Sequence, residues 1–128
     1  MGQIAPLILQ VEDEENIRKL ITVNLVKRGY RVREAYNGQE GLEELRDQPP
    51  DLLILNILLP DMSGLEILDE LNGDPLPPSG FSVIIITASP INTEMILKNY
   101  PRVAKIFTKP FEVMEVIEFI YQILPKVI

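Results

Sequence analysis

The stretch Leu52-Leu53-Ile54-Leu55-Asn56-Ile57-Leu58-Leu59-Pro60-Asp61-Met62-Ser63-Gly64 decides how the rest of the chain reads. Its first four residues are apolar at every position, so neither face of a strand built from them could meet water. A strand of that kind belongs in a parallel sheet with helices packed above and below. The run stops at a polar residue, Asn56, and Pro60-Asp61-Met62-Ser63-Gly64 reads as a turn leading into a helix cap.

Working outward, Leu7-Ile8-Leu9 and Val83-Ile84-Ile85-Ile86 show the same lack of alternation, whereas Tyr30-Arg31-Val32-Arg33 alternates and suits an edge strand. Strands are expected over Leu7–Val11, Tyr30–Ala35, Leu52–Leu55, Ser82–Thr87 and Ala104–Phe107. Helical repeats lie between them: Glu14–Arg28, with Ile17, Leu20, Ile21, Val23, Asn24 and Leu25 in phase and Gly29 as its stop, then Asn37–Asp47, Ser63–Leu71, Ile91–Asn99 and Glu112–Leu124. The Pro- and Gly-rich segment 72–81 reads as a loop of about ten residues. Strict alternation of strand and helix gives an α/β domain with a parallel sheet and helices on both faces.

Composition narrows the chemistry. The 128 residues suit one domain, 1–128, and 46% apolar residues are ample for a core. With no Cys there are no disulfides, thiol nucleophiles or zinc–thiolate sites, and with no His there is no Ser-His or Cys-His catalysis. A net charge of −7 argues against this chain alone gripping nucleic acid. Met1-Gly2-Gln3-Ile4-Ala5-Pro6 has no signal-peptide pattern, and no apolar run approaches the roughly 20 residues of a membrane span. A soluble, cytoplasmic protein is expected.

In doubly wound sheets, chemistry gathers at the C-terminal ends of the strands. The polar residues there are Glu12-Asp13, Asn56, Thr87 and Lys109. Two adjacent carboxylates with a further oxygen suit a hard cation such as Mg²⁺, a hydroxyl donates, and an ammonium meets an anionic oxygen. Read alone, Glu12-Asp13-Glu14-Glu15 is a helix start enriched in acids. Its coincidence with Thr87 and Lys109 at one rim favours a phosphoryl site.

At this point the chain resembles the receiver domain of bacterial two-component response regulators, over nearly its whole length. The resemblance rests on Leu7-Ile8-Leu9-Gln10-Val11-Glu12-Asp13-Glu14, Leu52 to Gly64, Val83-Ile84-Ile85-Ile86-Thr87-Ala88 and Phe107-Thr108-Lys109-Pro110-Phe111, in that order. It implies a flavodoxin-like (βα)5 fold with strand order 2-1-3-4-5, an order the receiver proteins themselves exemplify. It also implies Asp13 as a Mg²⁺ ligand, Glu12 acting through water, and Leu58 lending its carbonyl. Thr87 would be the switch hydroxyl, Lys109 the phosphoryl contact, and Lys109-Pro110 a cis bond.

One departure matters most. Where the resemblance places a phospho-accepting aspartate, this chain has Asn56. A neutral amide is a very poor nucleophile, and one clustered negative charge is gone, so ordinary phosphorylation is not expected and Mg²⁺ affinity should fall. Asp61 lies in a turn and Asp51 sits about 13 Å down the strand at ~3.3 Å per residue, so neither is a substitute acceptor. Ile57 after Asn56 should keep deamidation slow. A second departure is Ile106, where the family usually carries an aromatic that couples to the switch hydroxyl. It favours a naturally degenerate receiver over an introduced Asp-to-Asn change.

On the last helix, the apolar arc spans about 220° at 100° per residue, wider than burial on one side requires. Either the helix is deeply buried, or Met114, Ile117 or Tyr121 faces a partner. The resemblance makes residues 91–124 an output and homodimer surface and a sensor histidine kinase a partner. The tail Leu124-Pro125-Lys126-Val127-Ile128 leaves no room for an effector domain, so a single-domain protein or an excised module is expected. The rivals are a Mg²⁺-dependent aspartyl-phosphate phosphatase, with Asp13 as nucleophile, and an FMN carrier, whose phosphate loop would clash with Glu12-Asp13-Glu14-Glu15. A non-enzymatic signalling module is the reading carried forward.

Overall fold

The computed structural model describes residues 4–73 and 81–125. Strands and helices alternate along the chain: β1 (Leu7–Val11), α1 (Glu15–Lys27), β2 (Arg31–Ala35), α2 (Gly38–Asp47), β3 (Leu52–Asn56), α3 (Gly64–Gly73), β4 (Ser82–Thr87), α4 (Thr93–Asn99), β5 (Val103–Thr108) and α5 (Val113–Ile123). The five strands form one sheet in the order β2-β1-β3-β4-β5, and every adjacent pair is parallel. Most of the loop expected over 72–81, and the last three residues of the tail, lie outside the described residues.

The continuous apolar runs are buried on both faces, as their lack of alternation requires. Leu9, Val11, Leu53, Leu55, Val83 and Ile85 point into one core, closed by Leu42 and Leu45 of α2, Ile67, Leu68 and Leu71 of α3, and Ile96 of α4. Their neighbours Ile8, Leu52, Ile54, Ile84 and Ile86 point the other way, onto Ile21 and Leu25 of α1 and Val116, Ile117 and Ile120 of α5. The period of two along each strand thus feeds two separate cores from one sheet.

Local signals set the element ends. Gly29 has φ 95°, its N–H donates to Val26 O at 2.9 Å, and the Tyr30 N–H donates to Leu25 O at 3.1 Å. That paired closure is a Schellman stop, which glycine's freedom at positive φ permits. Asn37 caps α2 by accepting the Glu40 N–H at 2.8 Å. Ser63 and Glu66 cap α3 together: Ser63 Oγ accepts from Leu65 N at 3.1 Å, and Glu66 accepts from Ser63 N at 2.8 Å. β2 is an edge strand, as its alternation indicates, and Arg33 turns outward to ion-pair with Glu44 and Asp47 of α2.

Two packing expectations need correction. Leu20 and Val23, in phase on the α1 repeat, are exposed, while the charged Arg18 is buried in their place. On α5 Ile117 is fully buried against the sheet, so it cannot face a partner; Met114 and Tyr121 remain exposed. Burial is decided by which arc meets the neighbouring helix, and both helices carry more apolar surface than that contact covers.

Candidate functional site

Glu12 and Asp13 follow the last residue of β1, Asn56 ends β3, Thr87 ends β4, and Lys109 follows β5. Parallel register brings these ends to one rim. Gly64 lets the β3–α3 loop fold back over it, because a Cβ there would lie 2.5 Å from Asn56 O. The Gly64 N–H donates to Ile57 O at 2.7 Å, and Leu58 bridges to Ser63. The fold-back leaves the Leu58 side chain exposed and turns its carbonyl toward Asn56.

Three of the expected residues converge on the Asn56 amide. Its Nδ2 donates to Leu58 O at 2.9 Å, Asp13 Oδ1 at 3.0 Å and Glu12 Oε2 at 3.2 Å. Asn56 is 3% exposed and Glu12 2%. Burial pushes the Glu12 carboxyl above its ordinary range, opposed by the Glu14 N–H and by the Lys109 charge and hydrogen bond, with Asp13 adding to the rise. Lys109 Nζ lies 3.3 Å from Glu12 Oε1 and 3.0 Å from Glu14 Oε1.

Thr87 and Ile106 stand differently. Thr87 is fully buried at the strand end, and its hydroxyl oxygen accepts the Ser89 N–H at 3.0 Å. Among the described residues that is its side chain's hydrogen bond, and it does not join the acidic group. Its backbone carbonyl accepts from Lys109 N at 2.7 Å, which ties the β4 and β5 ends together. Ile106 is half-buried against the core under α2, α3 and α4, in register with Ile85. The Lys109-Pro110 bond is cis.

The two other carboxylates weighed as acceptors, Asp61 and Asp51, have structural partners. Asp61 accepts from the Gly38 and Gln39 N–H groups at 2.7 and 2.9 Å, so it caps α2 across the loop while Ser63 caps α3. Asp51 accepts from Leu7 N at 2.8 Å, at the opposite end of the sheet from the rim.

Sequence reasoning overlooked Glu14 as the second partner of Lys109, and it overlooked Arg18. The Arg18 Nη1 donates to Glu12 O at 2.9 Å, and its guanidinium lies 4.0 Å from the Tyr36 ring centroid. Beside it Gln10 Nε2 donates to Arg18 O and to Thr22 Oγ1, and Thr22 donates to Glu34 at 2.6 Å. Gln10, a lone amide in an apolar strand, was the available signal for this buried polar cluster.

A doubly wound sheet with an acid pair, a polar residue and a lysine at one rim defines a receiver-type protein. The sequence matches the family described as the response regulator receiver domain over residues 8–121. The chain belongs to that family, the receiver domains of two-component signal transduction. It is similar to the alkaline phosphatase synthesis transcriptional regulatory protein PhoP of Bacillus subtilis, with 34% identity over 109 residues, 85% of this chain and 44% of that protein. The response regulator ArlR of Staphylococcus aureus is 32% identical over 119 residues, 93% of this chain and 52% of that one. The chain thus spans about half the length of these curated relatives. The receiver domain protein of Methanospirillum hungatei superposes with a TM-score of 0.81 at 27% identity, covering 93% of each chain. TrrA of Thermotoga maritima, whose structure is a complex with Mg²⁺–BeF, gives 0.76 at 30% identity, covering 93% of this chain and 99% of that one.

The family implies Mg²⁺, and the donor set here allows a test of fit. Carboxylate and carbonyl oxygens are the right atoms for a hard cation. Their point of convergence, however, holds the Asn56 amide nitrogen. Arranged in this way, the residues do not fit the ion.

Proposed function

We propose that this receiver signals without aspartyl phosphorylation at the end of β3, acting through protein–protein contacts within a two-component phosphorelay and not as an enzyme. The observation that carries this reading is Asn56, buried at the β3 terminus between Glu12 and Asp13, the place where the family resemblance calls for the phospho-acceptor. An amide nitrogen whose lone pair is delocalised and whose hydrogens are bonded to oxygens has nothing with which to attack phosphorus. Asp61 and Asp51 offer no substitute, since Asp61 is engaged with α2 and Asp51 with β1. Glu12, Asp13, Leu58, Thr87 and Lys109 keep the family's pocket residues, while Ile106 lacks the aromatic side chain that would couple to Thr87. Mg²⁺ binding is weakened by the loss of the third carboxylate.

Contacts through residues 91–124 are the output in this reading, to a second copy or to another signalling protein such as a sensor histidine kinase. The exposed Met95 and Leu97 of α4 and Met114 and Tyr121 of α5 support it. The test is intact-mass analysis after incubation with acetyl phosphate and Mg²⁺. The native chain should show no phosphoryl adduct, and Asn56→Asp should gain one. An adduct on the native chain would overturn the reading.

A further inference from the structure

We infer that the Asn56 side-chain amide takes the place of a cation in the acidic pocket, so that this receiver is complete without metal and resists loading with it. The inference deepens the reading above and rests on its assignment of Asn56 to the family's acidic pocket. The arrangement has three parts. The oxygens of Glu12, Asp13 and Leu58 all lie 2.9–3.2 Å from one nitrogen, which itself fills the point on which they converge. Three acceptors face a group with two hydrogens, so one hydrogen is shared, and Glu12, at the longest distance, is the natural sharer. Finally, Glu12 also receives the Glu14 N–H at 3.0 Å and the Lys109 ammonium at 3.3 Å.

The direction of the amide follows from its surroundings. Turned over, its carbonyl oxygen would face two carboxylates and a carbonyl, four acceptors with no hydrogen among them. An ionised aspartate at the same place would create that situation, because it only accepts, and an external cation would then be needed to hold the oxygens together. Asn56 supplies donors instead. A divalent ion entering this pocket must first break the three contacts, then either expel the amide or reverse it to offer its oxygen.

This makes a distinction that a mere loss of charge does not. If Asn56 were only a poorer ligand than aspartate, truncating it would weaken metal binding further. If it is a plug, truncating it should strengthen binding although a potential ligand is lost. Calorimetric titration with Mn²⁺ alone, on the native chain and on Asn56→Ala, separates the two. Removing charge-assisted hydrogen bonds should tighten binding in Asn56→Ala by at least about tenfold. Equal or weaker binding in the variant would overturn the inference.

Should Asn56→Ala fail to fold, the native chain itself provides a measurement. Its Asn56 side-chain amide hydrogens should exchange with water more slowly than those of the exposed Asn99, and their NMR signals should stay in place at Mg²⁺ concentrations that shift the spectrum of Asn56→Asp. Fast exchange, or a displacement of those signals by Mg²⁺, would overturn the inference. Phosphoryl uptake in the mass experiment would end the phosphorylation-independent reading and leave the Mn²⁺ comparison standing, so the two fail separately.

Discussion

In the proposed reading, position 56 carries an NH2 group where the family resemblance calls for a carboxylate oxygen, so the side chain donates to Glu12, Asp13 and Leu58 where an aspartate could only accept. Asp61, a few residues on, shows a side chain that does keep its charge. The Gly38 and Gln39 N–H groups at the start of α2 hold its carboxyl below the ordinary aspartate value of 3.8. Its ionised form is favoured in the folded state, so its stabilisation is in full force above 3.8 and is lost as the pH falls through the lower folded value. Asp61→Asn should therefore melt at a lower temperature than the native chain near neutral pH, with the two curves converging in acid. Equal melting temperatures near neutrality would show that the cap contributes nothing. Residue identities at the rim were legible in the sequence, since Glu12, Asp13 and Lys109 follow strands and Asn56 ends one. What each one touches was not, because Asn56 meets Glu12 and Asp13 across 44 and 43 positions of chain. Thr87 illustrates the gap: its place was readable, whereas the turn that captures its hydroxyl through Ser89 N was not.

Among the elements, β3 and β4 were the plainest to read, because burial on both faces leaves no polar residue to interrupt the run. Strand β5 was blurred: only Val103 of its six residues is buried, and Ala104, Lys105 and Thr108 are exposed at the sheet's other edge. Helix α1 was legible in extent and misjudged in face, since Arg18 displaced apolar neighbours from the interior by finding a carbonyl, a carboxylate and an aromatic ring to meet its guanidinium. The β3–α3 connection depends on glycine in a way that sequence patterns do not reveal. A methyl group at Gly64 would meet backbone atoms, Asn56 O at 2.5 Å and Ile57 Cα at 3.0 Å, and not a side chain able to swing aside. Gly64→Ala should lower the stability measured by urea unfolding by about 1–3 kcal/mol, the usual range for overpacking. An unchanged midpoint would mean that the loop relaxes freely and does not pin the Leu58 carbonyl.

For the molecule as a whole, the two cores divide labour. The one under α1 and α5 contains no side chain from the rim loop of β3, while the one under α2, α3 and α4 takes Ile57 and packs Leu59 and Met62 against itself. Rearrangement at the rim is thereby tied to the α2–α4 side of the sheet, and Ile106 joins that side from β5. The proposed contact surface rests on exposed apolar groups of α4 and α5. Sedimentation across a dilution series should show a dimer that dissociates on dilution, and Met114→Glu should favour the monomer. A chain that stays monomeric at high concentration would rule out self-association through 91–124.

Arg33, on the outermost strand, is clasped by Glu44 and Asp47 and donates to Gln48. Its long side chain is thus held against α2 on a strand that, among the described residues, has no neighbouring strand beyond it. Charged side chains on such a strand discourage another molecule's strand from pairing with it, so Arg33 and its partners also guard the chain against edge-to-edge aggregation.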